Sequence, residues 1–315
     1  YGKIDRIDSH TEYWMETEAR LRTDFNVAGP KVADLLPIKR KSVMKAAFAQ
    51  AGVAAPRGVL AEELDDLWRL AQEVGYPLVA KPDIGVGAAN TFKLLGPQDV
   101  ERFWATKPPI PYLVEEFIHG PILTFDGLTD RDGNPVFYTS MTYSQGVMET
   151  VNEDRDIYFY NFREIPADLE DAGRRVLQAF GVHERFFHFE FFRSESTGQV
   201  IALEVNMRPP GGPIVDMFNY AHDIDLYWEW ANIIVNNRFV ESYSRKYHCC
   251  FVGRKHSKSY AHSHAQIMDA VGYCVVEHQP MPPVFALAMG DYYYLLRSPD
   301  LNEVVAAAHF IQELE

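Results

Sequence analysis

The sequence predicts an α+β protein, and three observations carry that expectation. RFFHFEFFR (Arg185 to Arg193) and VIALEVNMRPPGG (Val200 to Gly212) alternate with the two-residue period of a strand and are joined by the turn-forming SESTGQ. Other runs, such as AEELDDLWRLAQEV (Ala61 to Val74), repeat apolar residues at helical spacing. At 315 residues, the chain is also long enough for two domains or one large one.

Taken in order, TEYWMETEARLRTDF spaces Tyr13, Trp14, Ala19 and Leu21 along one helical face and stops at Ala28-Gly29-Pro30. From Lys39, KRKSVMKAAFAQAGV reads as a second helix, with Val43, Ala46, Ala47 and Gln50 following helical spacing and Gly52 at its end. Lys39, Arg40 and Lys41 crowd its start with the wrong sign for the helix dipole, so the cluster calls for an anion. The helix from Ala61 to Val74 turns Leu64, Leu67, Trp68 and Ala71 inward. YPLVAKP follows as a strand bearing Lys81, then DIGVGAANTFKLL as a glycine-rich turn entering another strand. Glycines there let backbone N–H groups approach a phosphate, although GVGA alone is more often an ordinary hairpin turn.

Gly96 to Trp104 reads as a short helix, and YLVEEFIHG as an apolar strand ending in Glu115 and Glu116. LTFDGLT and VFYTSMT form a hairpin around Arg131-Asp132-Gly133-Asn134. Ser144 to Arg163 is aromatic and acidic without clear period and reads as a loop covering a site; its Arg163 reads equally as a substrate contact or a structural ion pair. Ala167 to Phe180 and Asp223 to Asn236 are helical. Beyond Phe239, CCFVG, YCVVEH and FALAMGDYYYLL read as short strands, and Leu301 to Leu314 as a closing helix. Arg254 to His264 holds three histidines, which a solvated loop explains better than a metal site.

The formal net charge of -14 opposes nucleic-acid binding, which rests on clustered Lys and Arg. Three cysteines with no CxxC spacing build neither a disulfide framework nor a zinc site, and a reducing cytoplasm fits them. No apolar run of membrane-spanning length and no secretory leader is expected, and the chain opens on Tyr1 rather than Met, as a fragment or a trimmed protein does.

The hairpin carries the chemistry. If it folds symmetrically about Thr197, Glu190 stands across from Glu204 and His188 across from Asn206. Opposed carboxylates destabilise a sheet unless a cation sits between them, and Glu204, Asn206 and Arg208 share one strand face. Glu190, Glu204 and Asn206 thus offer a hard, all-oxygen site suited to magnesium, with Arg208 beside the phosphates that complete the shell. The competing reading is an exposed hairpin with solvated acids; Asn206, Arg208 and the PPGG turn weigh against it.

The order of these pieces (basic helix start, GYPLVAKP, glycine-rich loop, VEEFIHG, HFEFF, LEVNMRPPGG) resembles the ATP-grasp superfamily of carboxylate-amine ligases, including amino-acid ligases, over Pro37 to Asn236. The resemblance implies two α+β subdomains clasping ATP. It divides the chain into a partial Rossmann-like piece (1–37), an ATP-grasp domain (38–239, split at 114/115) and a C-terminal, mainly β extension (240–315). It further implies that Lys41 and Lys81 contact ATP phosphates under a loop holding Gly85, Gly87 and Ala88. Glu115, Glu116, Phe117 and Ile118 would form the adenine hinge, and Glu190, Glu204 and Asn206 would hold Mg²⁺ or Mn²⁺. Arg208 and Lys81 would be the catalytic pair, stabilising charge on the phosphates. Ile122 stands where many relatives have a ribose-binding Glu, so that either another group, such as Asp126, contacts the ribose or nucleotide affinity is weak. The expected partners are small carboxylate and amine substrates, with no nucleic acid and no membrane; the C-terminal strands leave open a homodimer surface or a lid. A purine-type carboxylase or formyl transferase and an inactive nucleotide-binding module are the alternatives.

Overall fold

The structure, a computed structural model, describes residues 2–85 and 90–315, apart from the side chains at 147 and 149. Two antiparallel sheets organise it. The smaller has the order β1-β4-β2-β3, built from Gly58–Leu60 (β1), Leu78–Pro82 (β2), Phe92–Leu94 (β3) and Tyr112–Glu116 (β4). Before it come helices Met15–Asp24 (α1), Leu36–Lys39 (α2) and Lys41–Gln50 (α3), and against it pack Leu64–Val74 (α4) and Pro97–Thr106 (α5).

The larger sheet has nine strands in the order β10-β9-β5-β7-β8-β11-β13-β12, with β6 paired to β5. These are Ile122–Thr129 (β5), Pro135–Thr139 (β6), Met141–Tyr143 (β7), Tyr158–Asn161 (β8), Phe186–Arg193 (β9), Val200–Asn206 (β10), His248–Arg254 (β11), Val275–Pro280 (β12) and Tyr292–Ser298 (β13). The strands of the C-terminal stretch therefore continue the sheet that holds the central hairpin. Helices Val147–Asn152 (α6), Ala167–Phe180 (α7), Ile214–His222 (α8), Leu226–Asn236 (α9), His264–Val271 (α10), Pro283–Met289 (α11) and Leu301–Gln312 (α12) complete the chain. No helix among the described residues is long and apolar enough to cross a membrane.

Strand period decides which face of the hairpin meets the core. Phe187, Phe189 and Phe191 enter one core with Ala202, Val205 and Met207, leaving His188, Glu190 and Phe192 on the opposite face. Each fully buried phenylalanine contributes about 2 kcal/mol, so a register slip that exposed them would be strongly opposed. Helix α7 closes over this core at Gly173, where a Cβ would lie 2.4 Å from the ring of Phe125.

Several sequence expectations change. Helix α1 buries Met15, Glu18, Ala19 and Arg22, and Tyr13, Trp14 and Leu21 face outward. Its inner face is polar because Arg22 pairs with Glu18 at 3.1 Å and Glu18 also lies beside Arg185, a partner no local pattern reveals. Helix α3 buries Lys41, Met44, Ala47 and Phe48 rather than Val43, Ala46 and Gln50, because both its lysine-rich start and its apolar face turn toward the cleft and core. The anion that its start calls for is Asp83, which is 1% exposed: its carboxylate accepts from Ser42 N–H at 2.8 Å, and its carbonyl from Lys41 N–H at 2.9 Å. Ser144 to Arg163 is not a loop but contains α6 and the interior strand β8. FALAM is helical (α11), only DYYYLL being strand, since Pro282 and Pro283 start a helix that Gly290 ends. Helices α8 and α10 lie where none was expected. Arg163 donates to the carbonyls of Pro299 and Arg245 and ties strand ends together, away from the cleft. Among the described residues no three or more His, Cys, Asp or Glu cluster as metal ligands, the histidines of 254–264 included.

Candidate active site

Between the two sheets lies a cleft of about 530 Å³. Lys41, Lys81, Gly85, Glu115, Glu116, Phe117, Ile118, Glu190, Glu204, Asn206 and Arg208 all line it. Gly87 and Ala88 lie outside the described residues.

A β-bulge sets the acidic wall. From the turn, Val200 pairs with Arg193, Ile201 with Phe192 and Ala202 with Phe191; continued unbroken, that register would set Glu204 against Phe189. The register shifts between Ala202 and Glu204 instead, so Leu203 and Glu204 both face the cleft and Glu204 pairs with Glu190, Asn206 with His188. The opposition expected from symmetry about Thr197 is present, and one extra residue in β10 produces it.

Protein cations meet each of these oxygens. Lys41 Nζ donates to Glu204 Oε1 at 2.9 Å and to the carbonyl of Gly85 at 2.7 Å. Arg208 donates to Asn206 Oδ1 at 3.2 Å, and its Nε lies 3.5 Å from Glu12 Oε2. His188 stands between Asp126 (Nδ1 to Oδ1, 2.5 Å) and Glu190 (Nε2 to Oε1, 3.5 Å). Burial alone would lower the imidazole's pKa, but Asp126 and then Glu190 raise it to about 9, so it is an imidazolium at neutral pH. Burial likewise works against ionised Glu190, yet His188, Arg208 and Lys41 hold its pKa below the ordinary carboxylate value.

The opposite wall inverts the signs. Glu115 is 2% exposed and lies between Lys81, at 2.5 Å, and Lys45. Burial would raise its pKa, but these two lysines overcome that and lower it. Glu116 turns its carboxylate outward to Arg57, at 2.8 Å, so within the 115–118 stretch only the backbone and the side chains of Phe117 and Ile118 remain to meet a flat ligand. Ile122 lines the cleft, whereas Asp126 does not: it is fully buried, accepts from Thr124 and anchors His188. The expectation that Asp126 substitutes as a ribose contact is therefore corrected; β5 sets it directly beside His188 in the sheet, beneath the cleft surface.

Sequence reasoning passed over Glu12, Lys45 and His188 as functional residues, and gave Asp126 a ribose contact in place of its partnership with His188. Lys45 was detectable one helical turn after Lys41, and His188 one strand period before Glu190. Asp126 required the β5–β9 pairing, and Glu12, whose buried Oε2 has no hydrogen-bond partner among the described residues, carried no local signal. Burial raises the Glu12 pKa, with Arg208 opposing.

The donor set fits a magnesium ion that shares its shell with phosphate. Two carboxylates and one amide oxygen on one face of the β9–β10 pair are too few for a closed protein cage, and are all hard oxygen.

A model of the ATP-grasp domain matches residues 74–216. The chain is 26% identical over 243 residues to an L-arginine-specific L-amino acid ligase of Bacillus subtilis, covering 74% of this chain and 58% of that protein. It thus spans a little over half the length of that relative, and half the length of a second, uncharacterised one. Among solved structures, an L-amino acid ligase from Bacillus licheniformis superposes with a TM-score of 0.73 at 14% identity, over 97% of this chain and 78% of that one. The biotin carboxylase domain dimer of Hydrogenobacter thermophilus 2-oxoglutarate carboxylase, in complex with MgADP, ADP and bicarbonate, gives 0.67 at 16% identity, over 90% and 68%.

Proposed function

We propose, from the premise that this chain carries an ATP-grasp domain, that it is an ATP-dependent ligase joining a small carboxylate, an amino acid or a related acid, to an amine, with release of ADP and phosphate. The observation that carries the reading is the bulge-set opposition of Glu190 and Glu204, with Asn206 and Arg208 on the same face, across from a lysine-lined wall. The names of the Bacillus relatives favour an amino acid as the acid.

In this reading the substrate carboxylate attacks the γ-phosphorus of ATP, the bond to the β,γ-bridging oxygen breaks, and an acylphosphate forms beside ADP. The amine then attacks the acyl carbon, loses a proton and expels phosphate. Glu190, Glu204 and Asn206 would hold magnesium, which would supply charge neutralisation on the phosphate oxygens. Lys41 and Lys81 exchange their carboxylate partners for phosphate oxygens, Gly85 borders the phosphates, and backbone groups of Glu116 and Ile118 hold the adenine. Arg208 faces the transferring phosphoryl group and stabilises charge developing there. Glu12, with its partnerless oxygen next to Arg208, is suited to accept a hydrogen bond from the amino group of the acid. Tyr143 at the end of β7, Gly146 before α6 and Met148 within α6 shield the acylphosphate from water.

Phosphate release from ATP and magnesium, measured with pooled amino acids, with bicarbonate and with formate, tests the assignment. Stimulation by amino acids is the expected result. Stimulation by bicarbonate or formate alone would turn the reading to a carboxylase or formyl transferase, and no release with any of them to a module without catalysis.

A further inference from the structure

The cleft has two unlike ends. Its phosphate and hinge end holds the lysines and carboxylates already described; past Arg208 the wall becomes apolar. Tyr143 and Phe159 are cross-strand partners on β7 and β8 with rings 5.3 Å apart, Ile157 precedes β8, Ile214 opens α8, and Ala288 and Met289 end α11. All but Ala288 are buried. Among the described residues, β7, β8, α8 and α11 contribute no charged side chain to the lining.

This wall is built by a close approach. A Cβ on Gly212, at φ +63°, would lie 2.7 Å from the sulfur and ε-methyl of Met289, and one on Gly211 would lie 3.1 Å from the ring of Phe285. The two glycines that follow Arg208 therefore admit α11 from the C-terminal stretch, which closes the compartment. Tyr143 belongs both to this wall and to the surroundings of Glu190 and Arg208, whose charges it feels. The apolar compartment thus adjoins the point where the acid would be activated. An ionised side chain there would lose its water and find no partner, whereas an aliphatic or aromatic one gains by burial.

Resting on the ligase reading, we infer that the compartment of Tyr143, Ile157, Phe159, Ile214, Ala288 and Met289 receives the side chain of the activated acid, and that this acid is an amino acid with a bulky apolar side chain.

Phosphate release by the full chain, with amino acids supplied singly, is the test. Leucine, methionine or phenylalanine should exceed glycine, arginine, lysine and aspartate by at least about 10-fold in kcat/KM. Preference for a charged amino acid or for glycine would overturn the inference and leave the ligase reading standing; no release with any amino acid would overturn both. Ala288→Phe fills the compartment from its partly exposed rim. It should shift preference toward alanine and glycine by about 10-fold, with calorimetric affinity for a nonhydrolysable ATP analogue unchanged. Unaltered preference in that variant would remove the compartment's assignment.

Discussion

The two walls of the cleft solve opposite electrostatic problems. On the small sheet one buried carboxylate, Glu115, serves two lysines, so the wall carries surplus positive charge. On the large sheet Asp126, Glu190 and Glu204, with Glu12 behind Arg208, outnumber the cations among them, and the surplus is negative. Helix α3 bridges the two: Met44 and Phe48 sit in the large sheet's core, while Lys41 reaches Glu204 and Lys45 reaches Glu115. On the proposed reading, the positive surplus awaits phosphate and the negative surplus awaits the metal ion that accompanies it. Buried ions held in this way are costly to leave unpaired, so the comparison can be broken at single residues.

The largest effect is expected at Glu115. Glu115→Gln keeps the volume but leaves Lys45 and Lys81 facing each other, and should cost about 3 kcal/mol in urea unfolding at pH 7; a loss below 1 kcal/mol would mean that water, not Glu115, compensates the lysines. Next, Glu204→Ala should lower phosphate release by at least about 100-fold, and near-normal turnover at saturating magnesium would remove the metal assignment. Acid separates the two sides. His222, behind the large sheet, is buried with Nδ1 donating to the Phe218 carbonyl at 2.7 Å, and burial lowers its pKa to about 4. Its contribution is therefore complete above the unfolded value near 6.5 and is lost as pH falls toward 4, about 2 kcal/mol between pH 7 and 5. The contribution of Glu115, whose pKa is lowered by its lysines, persists to below about 4.5. Urea titrations of wild type and His222→Phe at both pH values check this, and an equal pH dependence in the two proteins would exclude His222 as the source.

Smaller effects sharpen the contrast. Lys41→Ala should weaken a nonhydrolysable ATP analogue by about 10-fold in calorimetry, and unchanged affinity would refute its phosphate role. Arg57→Ala removes a partner of Glu116 outside the cleft, where half-exposure and solvent screening leave the pair little effect on stability; a loss in urea unfolding as large as that of Glu115→Gln would show that the rim of the small sheet matters as much as its buried lysines.

What the sequence determined by itself was whatever depends on spacing within one element. The alternation of RFFHFEFFR commits Phe187, Phe189 and Phe191 to one face and His188 and Glu190 to the other before any partner is known, and the order of GYPLVAKP, VEEFIHG and LEVNMRPPGG makes the family resemblance legible. The tertiary structure alone decided which charges become neighbours. Asp126 meets His188 only because β5 lies beside β9, Glu12 meets Arg208 across nearly two hundred residues, and α11 becomes a wall of the cleft only because Gly211 and Gly212 let it approach. The symmetric hairpin gave the correct pairing of Glu190 with Glu204 without revealing the bulge behind it. Side-chain period is a property of the local backbone, whereas pairing between distant segments is set by the sheet order that buries the most apolar surface, and no short stretch of sequence contains that choice.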